Sequence, residues 1–246
     1  MKLSLVSTLL GGPQTTSDIE VTDLAYDSRH VGGGSLFFCI SGRSFDGHDF
    51  AQDAISGGAI ALVVERPLDI DVPQIVVPQV RDAMTAFAAP FYGTPSNDLK
   101  VLGVTGTNGK TTTTFMAHSI FRTMGDISGL IGTVETRVGD TIAAGVRTTP
   151  ESIDIQRLLR SMVSEGARSV AMEVTSEGMA ERRLVGTRFR CSVFTNLSQD
   201  HLNYHGSMES YFSAKARLFS SDYSDSACVN IDDGYGARLA AQISIP

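Results

Sequence analysis

The most informative segment of the chain is Val101-Leu102-Gly103-Val104-Thr105-Gly106-Thr107-Asn108-Gly109-Lys110-Thr111-Thr112. Its first residues are apolar like those of a buried strand, its middle is rich in glycine, and its last residues open a helix. A phosphate-binding loop requires this context, because glycines let backbone N–H groups point at phosphate oxygens and the helix N-terminus adds positive potential. We therefore predict a nucleotide site here.

Two side chains of the loop carry the chemistry of this prediction. Lys110 supplies a point charge for the outer phosphates, and the hydroxyl of Thr111 can bind Mg²⁺. The spacing departs from the usual pattern, because Gly103 and Gly109 enclose five residues instead of four. The pattern is therefore the shorter Gly106-x-x-Gly109-Lys110-Thr111. The alternative interpretation is a glycine-rich turn followed by a threonine-rich helix cap.

Strands and helices alternate around the loop, which predicts an α/β fold with a doubly wound, mostly parallel sheet. From residue 98 onward the predicted strands are 101–104, 169–174, 191–196 and 227–231. The predicted helices of this part are 111–124, 152–165, 208–219 and 234–242. A smaller α/β unit precedes it, with strands at 21–26, 36–40, 60–64 and 74–77 and helices at 48–56 and 81–91.

The two parts are separated by a segment rich in turn formers, Tyr92 to Asp98, which has no apolar period. We place the domain boundary there and predict domains 1–97 and 98–246. The first ten residues briefly resemble a signal peptide, but no cleavage site follows, so we predict an N-terminal helix or strand. The chain ends just after a strand and a helix, which predicts that it is a fragment.

Composition excludes several classes of protein. The 246 residues carry a net charge of −7, so a basic nucleic-acid binder or a basic membrane-surface protein is not indicated. No stretch is long and apolar enough to span a bilayer. Cys39, Cys191 and Cys228 lie far apart and without metal-like spacing, which predicts buried thiols in a reducing compartment. These features favour a cytoplasmic enzyme or binding protein.

Three further residues are candidates for chemistry. Glu173 ends an apolar strand, so it reaches the sheet edge where open α/β folds bind ligands, and it is a natural metal ligand. His201 follows another such strand and could be a metal ligand oriented by Asp200. Lys215 shares a helix face with Tyr211, and a lysine on a packed face is costly unless it is paired or modified. The alternatives are a solvated glutamate, an ordinary polar histidine and a lysine that extends to solvent.

With these residues assembled, the sequence resembles the Mur ligase family, in the branch that adds the third residue to the stem peptide of peptidoglycan. The resemblance covers essentially the whole chain. Its most specific motifs are the loop at 105–112, Arg147-Thr148-Thr149-Pro150, Met172-Glu173-Val174-Thr175-Ser176, the stretch 194–205 and the helix of Lys215. Tyr26-Asp27-Ser28-Arg29 and Gly42-Arg43-Ser44-Phe45-Asp46-Gly47-His48 resemble the family's UDP-binding domain.

The resemblance implies roles for individual residues. ATP would be bound by the loop residues Gly106, Thr107, Asn108, Gly109, Lys110, Thr111 and Thr112. The sugar-linked substrate, UDP-N-acetylmuramoyl-L-alanyl-D-glutamate, would be bound by Ser28, Arg43, Ser44, Phe45, Thr148, Thr149, Thr175 and Arg183. Mg²⁺ would be held by Thr111, Glu173, His201 and Lys215 as its carbamate. Lys110, His201 and Lys215 are the implied catalytic residues.

The implied reaction is amide formation driven by ATP, in which the γ-phosphoryl group activates the substrate carboxylate as an acyl phosphate. An incoming diamino acid, meso-diaminopimelate or L-lysine, then attacks it. The resemblance implies a monomer in the cytoplasm, with small-molecule substrates and neither nucleic acid nor membrane as a partner. Family members continue into a third domain that selects the amino acid, so we expect this chain by itself to be inactive.

Two positions depart from the commonest family pattern and put the substrate contact in doubt. Glu177 stands where a histidine is usual, and Glu181 stands where a glutamine usually binds substrate. The sequence leaves other functions open. One is a ligase like the folylpolyglutamate synthetases, which residues 19–93 disfavour. A non-catalytic module that binds ATP or a UDP-sugar is another, and a regulatory NTPase is the third.

Overall fold

The computed structural model describes residues 1–12, 19–42 and 45–246, which form two units, Met1–Phe91 and Tyr92–Pro246. The units divide before the turn-rich segment, whereas the sequence placed the boundary at its end. Residues 92 and 93 lie with the second unit because Arg160 donates hydrogen bonds to the carbonyl oxygens of Tyr92 (2.7 Å) and Gly93 (3.0 Å).

The first unit is built on a four-stranded parallel sheet. Its strands are β1 (Asp23–Ala25), β2 (Ser35–Phe38), β3 (Ala59–Val64) and β4 (Gln74–Val76), in that spatial order. Its helices are α1 (Leu3–Leu9), α2 (Ala51–Ser56) and α3 (Val80–Phe91). The four strands and two helices that the sequence indicated are all present, and the N-terminal element is a helix. β2 is buried along its whole length, as expected of an inner parallel strand.

The second unit contains seven strands and six helices among the described residues. The strands are β5 (Lys100–Thr105), β6 (Ser128–Ile131), β7 (Glu135–Val138), β8 (Thr141–Ala144), β9 (Ser169–Glu173), β10 (Cys191–Phe194) and β11 (Ala227–Val229). The helices are α4 (Lys110–Thr123), α5 (Ser152–Ser164), α6 (Ser176–Ala180), α7 (Leu202–His205), α8 (Met208–Ala216) and α9 (Gly234–Gln242).

These strands form one sheet with the order β11-β10-β5-β9-β6-β7-β8. The pairs from β11 to β6 are parallel, and β7 and β8 add an antiparallel hairpin at one edge. The predicted fold class, α/β with a mostly parallel sheet, is confirmed. Because β5 lies between β10 and β9, the polar residues that follow these three strands meet at one edge of the sheet.

Apolar side chains hold this sheet to its helices. Val101 on β5, Val170 on β9 and Phe194 on β10 are completely buried. On α5 the buried positions include Ile155, Leu159 and Met162, which recur at helical spacing and pack in the same core. This burial fixes α5 against the sheet and leaves the carboxyl ends of the strands to carry polar groups.

The segment 128–144, for which the sequence predicted no element, contains β6, β7 and β8. The three strands are short and lie among glycines, so their local signal is weak. The prediction of three buried thiols was wrong, because Cys39 is buried but Cys228 is exposed in β11, where burial alternates. All three thiols are free. Across the described ranges we find no helix with the length and apolar character that crossing a membrane requires.

Candidate functional site

Two glycines give the loop between β5 and α4 its shape. Gly106 has a φ of +148°, and a Cβ atom there would lie 1.9 Å from the hydroxyl oxygen of Thr195. Gly109 has a φ of +84° and caps the N-terminus of α4. Positive φ angles strain other residues, so this turn depends on glycine at both positions. The turn leads directly into the helix N-terminus, as in a phosphate-binding loop.

The loop is held in place by the polar residues that follow β10. The backbone N–H groups of Thr107 and Asn108 donate to the main-chain (2.9 Å) and side-chain (3.0 Å) oxygens of Asn196. The Thr195 hydroxyl donates to the carbonyl oxygen of Asn108 at 2.7 Å. These partners are remote in sequence and were not predicted. Their only sequence signal is polar residues directly after an apolar strand.

Lys110 folds back over the loop that precedes it. Its ammonium group donates hydrogen bonds to the carbonyl oxygens of Gly106 (2.9 Å) and Thr107 (2.8 Å). Burial lowers the pKa of Lys110, and the charge of Glu173 opposes this effect. Thr112 lies exposed in the first turn of α4. The ammonium group of Lys110 therefore lies over the loop, close to the N-terminus of α4.

Glu173 is almost fully buried at the end of β9 and meets hydroxyl groups from two other segments. The hydroxyl of Thr111 donates to its Oε2 atom at 3.0 Å, and the hydroxyl of Thr133 donates to the same atom at 3.1 Å. The backbone N–H of Thr133 donates to Oε1 at 2.9 Å. Thr133 follows β6 and was not predicted as a site residue. The carboxylate of Glu173 thus lies beside the first turn of α4.

Among the described residues, the side chain of His201 forms no hydrogen bond or ion pair with Glu173. Its Nε2 atom is 3.4 Å from the carboxylate of Asp200, and its Nδ1 atom is 3.7 Å from that of Glu177. The side chain is 42% exposed, and its backbone has a φ of +52°. In the described ranges no three His, Cys, Asp or Glu side chains form a group able to hold a metal ion.

Lys215 is 1% exposed, and its side chain contacts the loop between β5 and α4. Its ε-amino group donates to the carbonyl oxygen of Gly106 at 2.9 Å and lies 4.8 Å from the ring centroid of Tyr211. Among the described residues no carboxylate forms an ion pair with it. Burial lowers its pKa to about 7, and the nearby charge of Lys110 adds to this shift. The lysine therefore does not extend to solvent.

Tyr211 was expected only as a packing neighbour of Lys215, but it touches several parts of the site. Its hydroxyl lies 3.2 Å from the hydroxyl of Thr107 in the loop. Its ring contacts the rings of His201 and His205, with centroids 5.9 Å and 5.2 Å apart. The side chain is fully buried. Tyr211 therefore links the loop, Lys215 and the segment that contains His201.

The remaining candidates of the second unit form a network near the end of β9. The hydroxyl of Thr149 donates to the carbonyl oxygen of Glu173 at 3.0 Å and accepts from the backbone N–H of Thr175 at 2.9 Å. Arg183 donates to the carbonyl oxygen of Thr149 at 2.9 Å. The hydroxyls of Thr148 and Thr133 are 2.9 Å apart. The structure thus brings Thr148, Thr149, Thr175 and Arg183 close to Glu173.

Carboxylates already surround Arg183. Its guanidinium lies 2.6 Å from Glu181 and 3.3 Å from the buried Glu151. The hydroxyl of Tyr204 also donates to Glu181, at 3.3 Å. Any anionic ligand would therefore compete with Glu181 and Glu151 for this guanidinium.

In the first unit, Ser28 follows β1 and begins a short turn, where Asp27 accepts a hydrogen bond from the backbone N–H of Arg29. Phe45 is 73% exposed. Arg43 and Ser44, also predicted to contact substrate, lie outside the described residues. Buried His48 was not predicted as a site residue. Its Nδ1 atom is 2.6 Å from Asp46, and its Nε2 atom accepts from the backbone N–H of Glu65.

Two family descriptions match the chain. Residues 104–245 match the Mur ligase middle domain, and residues 20–92 match the description "Mur ligase family, catalytic domain". The first match covers more than half of the 246 residues. The first match falls in the second unit, and the second match falls in the first unit except for its last residue, Tyr92.

Curated relatives share the name UDP-N-acetylmuramoyl-L-alanyl-D-glutamate--2,6-diaminopimelate ligase. The protein from Geobacillus thermodenitrificans is 52% identical over 200 residues, which are 81% of this chain and 41% of the relative. The protein from Aquifex aeolicus is 46% identical over 219 residues, 89% of this chain and 45% of the relative. The chain therefore spans less than half the length of these relatives.

Solved structures show the same architecture. A UDP-N-acetylmuramoyl-L-alanyl-D-glutamate--2,6-diaminopimelate ligase superposes with a TM-score of 0.75 at 29% identity, covering 89% of this chain and 45% of that one. A UDP-N-acetylmuramoylalanyl-D-glutamyl-2,6-diaminopimelate--D-alanyl-D-alanyl ligase from Acinetobacter baumannii gives a TM-score of 0.70 at 20% identity, covering 98% and 51%. The second likeness shows the fold alone.

Proposed function

The chain belongs to the Mur ligase family, and from that premise we propose that it forms the nucleotide- and precursor-binding part of an ATP-dependent amide ligase. The proposed ligase extends a peptidoglycan precursor. The observation that carries this proposal is the meeting of three groups at one sheet edge. These are the glycine-rich loop with Lys110, the pair of Thr111 and the buried Glu173, and the buried Lys215.

We propose that the loop residues Gly106 to Thr112 bind the phosphates of ATP. The helix N-terminus of α4 and the ammonium group of Lys110 supply positive potential there. Among the described residues Lys110 donates only to loop carbonyl oxygens and forms no ion pair, so no carboxylate competes when the ammonium turns to a phosphate oxygen. The hydrogen bonds from Thr107 and Asn108 to Asn196 hold the loop in shape before ATP arrives.

The residues at the end of β9 fit Mg²⁺. Hard cations prefer oxygen ligands, and Mg²⁺ commonly takes one or two carboxylates together with substrate phosphates. Glu173 and Thr111 offer a buried carboxylate and a hydroxyl that already lie 3.0 Å apart. We propose these two as metal ligands, with His201 as a ligand that serves a second ion. A bound Mg²⁺ would neutralise charge that develops on the phosphates.

We propose UDP-N-acetylmuramoyl-L-alanyl-D-glutamate as the sugar-linked substrate. Ser28, Arg43, Ser44 and Phe45 would contact its uridine diphosphate part. Thr148, Thr149, Thr175 and Arg183 would contact the dipeptide part. The third residue would be a diamino acid, and the names of the relatives favour 2,6-diaminopimelate over L-lysine. The proposed domain that binds the UDP-linked sugar is 1–97, and the proposed ATP-binding domain is 98–246.

In the proposed reaction, the γ-phosphoryl group of ATP passes to the substrate carboxylate, and ADP leaves. The amine of the diamino acid attacks the resulting acyl phosphate, phosphate departs, and an amide forms. The site needs no protein nucleophile for these steps. Lys110 and the loop amides stabilise the charge on the transferred group, so catalysis depends on positioning and electrostatics.

Lys215 fits the role of a carbamylated lysine. Its low pKa leaves much of the amine uncharged at neutral pH, and an uncharged amine can attack CO₂. The carbamate would convert a buried cation into an anion that can support a metal ion. Because the proposed substrates are nucleotides and a nucleotide-linked sugar, we place the proposed reaction in the cytoplasm. We also propose that the ligase acts as a monomer.

Calorimetric titration of the 246-residue chain tests this proposal. The titrant is UDP-N-acetylmuramoyl-L-alanyl-D-glutamate, with and without Mg²⁺ and a non-hydrolysable ATP analogue. We expect the precursor to bind to the folded chain, and the analogue to bind more tightly with Mg²⁺ than without it. A folded chain that binds neither compound would refute the proposal.

A further inference from the structure

A cavity of about 620 Å³ lies where strands β5, β9 and β10 begin. The nucleotide loop follows the last residue of β5, so the cavity is at the opposite edge of the same sheet. The residues that line it are mostly polar or charged, with Leu99 as the only large apolar one among those described, and include Lys100, Arg168, Arg188, Arg190 and Asp225.

Three of these cations lie at the starts of neighbouring strands. The backbone N–H of Lys100 donates to the carbonyl oxygen of Arg168 at 2.9 Å, and the backbone N–H of Arg190 donates to that of Val101 at 2.8 Å. Arg190, Lys100 and Arg168 therefore sit at the starts of β10, β5 and β9, which are adjacent in the sheet. Lys100 pairs with Ser169, so it lies one residue out of register with Arg168 and Arg190, and the three cations form a cluster around the cavity and not an evenly spaced line.

The lining of this cavity carries more cationic side chains than carboxylates. Arg188 and Arg190 share the carboxylate of Asp225, at 2.8 Å and 3.2 Å. In the part of the chain that the structure describes, the side chains of Lys100 and Arg168 have neither a hydrogen bond nor an ion pair. Asp98 is the other carboxylate of the lining, and it lies 3.9 Å from Arg160. Four cations thus face two carboxylates, in a chain whose net charge is −7.

We propose that this cavity binds a small molecule through two or more adjacent phosphate groups, at a site separate from the nucleotide loop. Each exposed ion pair contributes little, so a single charge would bind weakly, whereas a cluster of cations favours a ligand with several linked anionic groups. Because four of the lining residues are cations, the phosphates are the recognised part, whether they are inorganic or belong to a nucleotide.

Amide chemical-shift mapping of the isotopically labelled chain, titrated with inorganic tripolyphosphate in EDTA, tests the proposal. We expect shifts at the amides of Lys100, Arg168 and Arg190, and binding about tenfold tighter than that of orthophosphate. These shifts should persist in Lys110→Ala, which weakens the nucleotide loop. Shifts confined to residues 106–112, and lost in Lys110→Ala, would overturn the proposal without touching the ligase function.

Variants locate the site and identify the recognised group. The double variant Lys100→Gln/Arg168→Gln should weaken tripolyphosphate binding about tenfold, whereas Arg217→Gln, which removes an exposed cation outside the cavity, should leave it unchanged. Equal weakening by both variants would refute a specific site. In the Lys110→Ala background, pyrophosphate and ADP should bind to the cavity with similar affinity. Much tighter binding of ADP would overturn recognition through phosphate alone. Thermal unfolding of each variant verifies that it is folded.

Discussion

The ε-amino group of Lys215 lies 2.9 Å from the carbonyl oxygen of Gly106, which joins the last turn of α8 to the nucleotide loop. The same carbonyl oxygen also accepts a hydrogen bond from Lys110. Two lysines therefore converge on one backbone group, and the charge of Lys110 helps burial to lower the pKa of Lys215. The charge and the carbamylation of the Lys215 amine are therefore the properties to measure first.

Lys215 should carry a carbamate when CO₂ is supplied. Its pKa of about 7 makes the amine increasingly uncharged as pH rises through that value, while an exposed lysine stays charged to about 10. At a fixed pressure of ¹³CO₂, a carbamate resonance should therefore grow in ¹³C NMR spectra between pH 6 and pH 8. Lys215→Met should lack the resonance. An identical resonance in this variant would assign the carbamate to another amine.

Lys110→Ala should weaken binding of a non-hydrolysable ATP analogue by about 10- to 100-fold, because it removes a charged hydrogen-bond donor from the phosphates. Binding of the UDP-linked precursor to the first unit should be unchanged, which calorimetry of both ligands can establish. Arg217→Gln is a matched loss of positive charge outside the loop and should alter neither affinity. Unchanged binding of the analogue by Lys110→Ala would contradict the role of this lysine.

Glu173→Gln should remove most of the effect of Mg²⁺ on nucleotide binding. The amide oxygen can still accept from the backbone N–H of Thr133, so the fold is retained, but the carboxylate charge is lost. We expect Mg²⁺ to strengthen ADP binding about tenfold or more in the unmodified chain and less than about twofold in the variant, measured by calorimetry. An undiminished Mg²⁺ effect would exclude Glu173 as a ligand.

Two variants separate the role of the Tyr211 hydroxyl from the role of its ring. Tyr211→Phe removes only the contact with Thr107, so it should weaken binding of the ATP analogue about three- to tenfold and leave the carbamate signal of Lys215 unchanged. Tyr211→Leu also removes the ring beside the Lys215 amine and should alter that signal. If the two variants behave identically in both measurements, Tyr211 serves packing alone.

His118 on α4 should make the second unit sensitive to acid. It is 2% exposed, its Nε2 atom has no hydrogen-bond partner among the described residues, and burial together with Arg137 lowers its pKa. The unfolded chain therefore binds a proton more readily, so stability is complete above about pH 6.5 and falls as pH drops below it.

Urea unfolding of the chain at pH 7.5 and pH 5 should show this loss, and His118→Gln should reduce it. His205, whose pKa is also lowered by burial, contributes in the same direction and should account for part of what remains. Equal losses of stability in the unmodified chain and in His118→Gln would show that His118 is not responsible.

Local sequence predicted the parts of the site that lie within one strand, turn or helix. The loop from Gly106 to Lys110 could be identified because glycine, lysine and the flanking periodicity are adjacent in the chain. The helix face that Lys215 shares with Tyr211 also followed from local spacing, but that spacing left open whether the lysine extends to solvent, and the fold shows that it is buried. The segment 128–144 escaped because short strands interrupted by glycine have little periodic signal.

The α/β class, the order of most elements and the phosphate loop could be predicted from the amino-acid sequence, because each depends on residues close together along the chain. Which of these residues meet became visible in the folded structure. Thr111 reaches Glu173 across 62 positions, and Lys215 reaches Gly106 across 109. These meetings depend on the strand order β10-β5-β9 and on the packing of α8. Long-range pairing of this kind leaves no periodic trace in either partner, since it is fixed by burial and register in the folded sheet.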